Sequence, residues 1–249
     1  MYVNTTLDQH IATIEFFHPQ SNSLPGKLLR ELAAQVTAAG QHEEVRVIIL
    51  KSAGERAFCA GASFDELVAI SDKASGKAFF SGFAGVINAM RTCPKFIIGR
   101  VQGKAVGGGV GVASSVDFCY ATQYAAVKLS ELAIGIGPFV VGPAVSRKVG
   151  GSAMSQMAID TTSWYPATWA KEKGLYAEVF ETAEEMDLAV QALAEKLAAS
   201  NPEAMRLLKQ NFWEGTDHWD QLLDERAAMS GALVLSDFTR QAIAKFKAK

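Results

Sequence analysis

The chain has 249 residues, 49% of them hydrophobic and 20% charged, with a formal net charge of −2. That length supports one large domain with a substantial core, and a near-neutral balance without a basic patch argues against a nucleic-acid partner. There is no signal-peptide pattern and no uncharged stretch of membrane-spanning length, so the expectation is a soluble cytoplasmic protein with no membrane partner. In chain order, His10 to Phe17 (HIATIEFF) is β-branched and partly alternating, which predicts a strand. The turn cluster HPQSNSLP leads into a helix with Leu24, Leu28, Leu32 and Val36 four residues apart on one face. Val45 to Gly54 (VRVIILKSAG) reads as a buried strand ending in a turn, and FDELVAI opens a second helix. Residues 71–92 read as helical despite several glycines and serines, and Lys95 to Gly103 (KFIIGRVQG) as one further strand. GGGVGVASSVDF opens the next helix, and DFCYAT and AAVKLS are short strands. Beyond about residue 145 the pattern turns helical, interrupted by one short strand, YAEVF. The fold class is α/β: strand–turn–helix units followed by a helical C-terminal region.

Several chemistries lack their motif. There is no G-x-x-x-x-G-K-[ST] and no G-x-S-x-G. The glycines from Gly107 do not complete G-x-G-x-x-G, because Val112 stands where the last glycine belongs. His10, His18, His42 and His218 are scattered, so no metal site is expected. Cys59, Cys93 and Cys119 show no C-x-x-C spacing and read as small buried hydrophobes in a reducing compartment.

Two segments share an architecture. AFCAGASFDEL follows the strand Val45 to Lys51, and AVGGGVGVA follows the strand Lys95 to Val101. Each places small residues where a turn opens into a helix, where N–H groups are unpaired and the helix dipole is positive. Singly, each is an ordinary tight turn. Two such N–H groups aimed at one point would form an oxyanion hole.

AFCAGAS, followed about 45 residues later by GKAVGGGVG, resembles the crotonase superfamily of enoyl-CoA hydratases and isomerases. HPQSNSL, SSVDFCYAT, LSELAIGIGP and NPEAMRLLKQ extend the resemblance over nearly the whole chain. The resemblance implies a fold of repeated ββα units, with a core over residues 1–195 and a helical trimerisation region over 196–249. It implies a homotrimer or hexamer, and a CoA thioester as substrate with no further cofactor. The thioester carbonyl would lie between the N–H groups of Ala62 and Gly108, each worth roughly 3 kcal/mol by analogy with other oxyanion holes. The CoA moiety would run past Asn22, Ser23 and Leu24 and along Ala60, Gly61, Ala62, Ser63 and Phe64. Many hydratases carry a lysine three residues after the oxyanion-hole alanine, where this chain has Asp65. Lys27, Lys245 and Lys247 are candidates to meet the CoA phosphates instead.

The family's hydratases use two glutamates. The first would fall on Gly111 and the second on Glu131, so one acid remains. Asp117 points away from the face of Gly111 and reads as structural. Glu66, one helical turn beyond Ala62 on the same face, could reach the pocket and assist, but reads better as a solvated acid favoured by the helix dipole. Glu131 lies in the apolar run AAVKLSELAIGIG, where a carboxyl acquires a raised pKa and becomes a useful base. One carboxylate suffices to move a proton from C2 to C4 of a 3-enoyl-CoA, and SELAIGIGPF resembles the corresponding stretch of 3,2-enoyl-CoA isomerases. Hydration of straight or branched enoyl-CoA, decarboxylation of malonyl-type thioesters, and non-catalytic acyl-CoA binding stay open as alternatives. Phe139 stands near where dehalogenating relatives carry a nucleophilic aspartate. Residues 70–92 are expected to shape an apolar acyl wall.

Overall fold

The structure is a computed structural model that describes residues 1–247, with side chains described through Lys245. It opens with a hairpin of β1 (Tyr2–Asp8) and β2 (Ile11–Phe17). Sequence reading missed β1 and began the second strand one residue early. His10 instead belongs to the turn, with Gln9 and His10 at φ of 45° and 70°. Helix α1 (Gly26–Gln41) follows, then β3 (Val47–Ser52), β4 (Ala57–Cys59), α2 (Phe64–Val68) and α3 (Lys73–Thr92). Next come β5 (Phe96–Val101), β6 (Lys104–Val106) and α4 (Gly108–Ser115). The third round is β7 (Phe118–Thr122), β8 (Val127–Lys128), a 3-10 turn (Glu131–Ile134) and α5 (Gly142–Ile159). The chain finishes through α6 (Ala167–Glu172), β9 (Glu178–Phe180), α7 (Ala183–Ala198), α8 (Pro202–Phe212), α9 (Trp219–Leu233) and α10 (Asp237–Lys247).

Three successive strand pairs divide between two sheets. The first member of each pair enters a six-stranded sheet of order β1-β2-β3-β5-β7-β9, parallel except for β1. The second member enters a parallel three-stranded sheet of order β4-β6-β8. This is the ββα repeat the resemblance implied; Lys95 to Gly103 holds one strand, β5, as read, while the short β6 that follows it was missed. The chain leaves the large sheet after Val101 because Gln102 turns its amide to the Ser52 Oγ (2.9 Å) and Gly54 O (3.1 Å), pinning a corner.

The large sheet is covered on both faces, which is why β3 reads as a continuous apolar run. Ile48 and Leu50 face α1 and α3, meeting Leu28, Leu32, Val86 and Ile87. Val47 and Ile49 face α7, meeting Met186 and Val190. Asp117 anchors the C-terminal helices to this frame. Its carboxylate accepts from Ile97 N (2.8 Å) and Trp213 Nε1 (3.1 Å), and pairs with buried Lys209 at 2.8 Å. Asp117 is therefore committed to structure, which agrees with its placement off the Gly111 face.

Candidate active site

A cavity of about 380 Å³ opens where the three-stranded sheet delivers its loops. Because β4 and β6 are neighbours, the loop after each reaches the same point. The two loops touch: a methyl on Gly61 would lie 3.7 Å from Gly108 N. Among the described residues, neither Ala62 N–H nor Gly108 N–H donates to a protein acceptor. Gly108 is the first residue of α4, so its free N–H follows from helix geometry. Ala62 and Gly108 both line the cavity.

The glycines around Gly108 are demanded by their surroundings. Gly107 adopts φ 52°, ψ −115°, a conformation that side chains rarely tolerate. A methyl there would sit 2.9 Å from Glu131 Oε1. A methyl on Gly108 would sit 2.2 Å from Phe83 Cε1. Bare backbone at these positions lets a carboxylate and an aromatic wall close on the unpaired N–H groups.

Glu131 starts the 3-10 turn that follows β8, and its backbone oxygen accepts from Ile136 N at 3.1 Å. Its Oε2 is buried without a hydrogen-bond partner. Burial, the largest effect, pushes the carboxyl from an ordinary 4.5 up to about 7, while the N–H groups of Glu131 and Ser130 act in the opposite direction. The acid is thus poised to exchange a proton near neutral pH. Among the described residues lining the cavity, Glu131 is the one carboxylate. At the other acid position, a methyl on Gly111 would lie 2.5 Å from Val141 Cγ1, so the buried Val141 side chain already fills that space.

Most of the remaining wall is apolar. Phe79, Phe80 and Phe83 come from α3, as expected of residues 70–92, and Phe139 and Val140 from the loop before α5. Phe139 is a wall residue, and no aspartate stands in its place.

The enoyl-CoA hydratase/isomerase family profile matches residues 6–247. The chain belongs to that family. It is 30% identical to a short-chain-enoyl-CoA hydratase of Clostridium acetobutylicum, over 82% of this chain and 78% of that protein. It is 26% identical to a peroxisomal Δ(3,5)-Δ(2,4)-dienoyl-CoA isomerase of Arabidopsis thaliana, over 89% of this chain and 84% of that one. The crystal structure of an enoyl-CoA hydratase from Bacillus halodurans superposes with a TM-score of 0.90 at 19% identity, covering 98% of this chain and 100% of that one. The fold is that of the crotonases, and the protein is an enzyme of their family.

Within this family member, Ala60, Gly61, Ala62, Phe64, Gly108 and Glu131 all line one cavity. Asn22, Ser23, Leu24 and Ser63 lie behind it and brace the loop. The Asn22 amide donates to Ala53 O (2.8 Å) and Ala57 O (2.9 Å), and Leu24 N donates to Gly61 O at 2.8 Å. Ser23 Oγ meets His18 Nδ1 at 3.1 Å, and Ser63 caps α2 by accepting from Glu66 N. Glu66 turns from the cavity and accepts from Gly26 N at 2.7 Å. Lys27 and Lys245 are exposed on α1 and α10, and the side chain of Lys247 lies outside the described residues. Sequence reasoning missed Lys128, Trp164 and Ser230, all cavity residues. Lys128 and Ser230 sit in ordinary strand and helix patterns, and Trp164 in a connection, so only the fold reveals their shared destination.

Proposed function

We propose that this enzyme converts a 3-enoyl-CoA ester into the conjugated 2-enoyl-CoA ester. The thioester oxygen accepts from the N–H groups of Ala62 and Gly108. The Glu131 carboxylate takes a proton from C2; the C–H electrons form a dienolate whose charge rests on the oxygen between the two donors. The same carboxyl returns the proton to C4, and the double bond ends between C2 and C3. No water is consumed, and Glu131 regains its ionised form.

One observation carries this reading: Val141 occupies the volume that a side chain at Gly111 would need. The reading therefore involves one proton carrier and no second carboxylate to hold a water. Hydration is the competing reading, favoured by the 30%-identical hydratase relative. The test offers purified protein 3-hexenoyl-CoA and 2-hexenoyl-CoA separately, following conjugated thioester and 3-hydroxyacyl-CoA. The expected result is conjugation of the first and no hydration of the second. Hydration of 2-hexenoyl-CoA at a comparable rate would overturn the proposal.

A further inference from the structure

The cavity carries a positive feature that neither the oxyanion hole nor Glu131 uses. Lys128 lines it, and so does Trp164. An antiparallel bridge between Val127 and Tyr165 sets the two side by side. Lys128 Nζ lies 5.6 Å from the centre of the Trp164 ring and donates to Thr162 O at 3.0 Å. Lys104 Nζ lies 4.6 Å from the centre of the same ring. Two ammonium groups thus share one indole. Among the described residues, neither has a carboxylate within salt-bridge distance. Like charges gathered without a counter-ion favour an incoming anion, and Lys128 keeps two N–H bonds free for it.

Sheet order decides which part of a thioester would meet them. In β4-β6-β8, the loop carrying Ala60 to Phe64 leaves one edge strand and Lys128 ends the other. On the proposed reading, the carbonyl lies between the β4 and β6 loops and the reacting carbons face Glu131, just beyond β8. A chain that enters along Ala60 to Phe64 and passes Glu131 brings its acyl end, not its CoA phosphates, to Lys128. Val106, which pairs with Lys128 across β6 and β8, also lines the cavity and completes this path.

We infer that Lys128, backed by Trp164 and Lys104, forms a subsite for an anionic group at the far end of the acyl chain, so that the preferred substrates are CoA esters of dicarboxylic acids. This rests on the proposed orientation of the thioester. The distal carboxylate accepts from Lys128 Nζ while Trp164 packs on the methylenes before it.

The test uses saturated esters, which bind without reacting. Glutaryl-CoA is compared with pentanoyl-CoA, and adipyl-CoA with hexanoyl-CoA, by titration calorimetry at low and high salt. At least one dicarboxylyl ester should bind about tenfold more tightly than its methyl-ended partner, the scale of one charge-assisted hydrogen bond. High salt should reduce that preference. Lys128→Met should abolish it, and Lys104→Met should weaken it. The inference is overturned if the wild type shows no preference in either pair, if Lys128→Met keeps it, or if that variant loses both members of a pair equally, which would assign Lys128 to the CoA moiety. Failure of every ester to bind would instead remove the acyl-CoA reading itself, and this inference with it.

Discussion

Glu131→Gln is expected to stabilise the fold while removing the chemistry. The carboxyl is held at about 7 rather than 4.5 by burial. Keeping it ionised above pH 7 therefore costs the folded state about 3 kcal/mol. The sign follows from the raised value: the folded protein holds this proton more tightly than the unfolded chain. Its contribution is fully present below about 4.5 and is lost as pH rises through about 7. Glutamine has the same shape and no charge, so it removes the penalty at high pH. It brings a cost of about 1 kcal/mol, because Oε2 has no partner now and the amide replacing it would have none either. The net gain is about 2 kcal/mol at pH 8, falling to about zero at pH 5. Urea unfolding at both pH values and one fixed protein concentration measures this. A variant no more stable than wild type at pH 8 would refute the claim that Glu131 is a desolvated carboxyl.

Isomerase kcat/KM should rise with pH and level off above about 7, because the base must be ionised; Glu131→Gln should lower kcat by 10² to 10⁴, read by the conjugation assay. Asp117→Asn should cost about 3–5 kcal/mol in urea unfolding by leaving the Lys209 charge unpaired, with kcat per folded molecule unchanged. Gly111→Glu alone should destabilise the protein by about 1–3 kcal/mol, because it overpacks against Val141. Combining it with Val141→Gly should recover stability and create measurable 2-enoyl-CoA hydration; a double variant that only isomerises would show that the missing acid does not set the reaction.

Most of the large sheet was legible because its central strands are apolar on both faces, a signal that survives without any partner; β1, polar and largely exposed, lacks that signal and was missed. Two of the short second strands were not legible, although AAVKLS did mark β8. Ala57–Cys59 and Lys104–Val106 have three residues each and exist because they pair with one another across a long stretch of sequence. Local pattern carries no record of such pairing. The same divide runs through the site. Ala62, Gly108 and Glu131 stand in motifs, so their positions could be named before the fold was known. Phe79, Phe80 and Phe83 were legible as an apolar wall. Lys128 and Trp164 meet only through the bridge between Val127 and Tyr165, and nothing local marks either. Asn22 adds a role its motif did not show: its amide donates to Ala53 and Ala57 and holds the turn.

Val141 links the basicity of Glu131 to its solitude. A carboxyl can be raised toward neutrality by a second carboxylate nearby or by loss of water. Here desolvation is the leading cause, and no neighbouring acid contributes. A glutamate at position 111 would add charge and draw water in. Val141 fills that volume with carbon. On the proposed reading, the missing acid and the packed gap act in the same direction: they leave no second carboxylate to hold a water, and they leave the remaining carboxyl desolvated enough to carry a proton near pH 7.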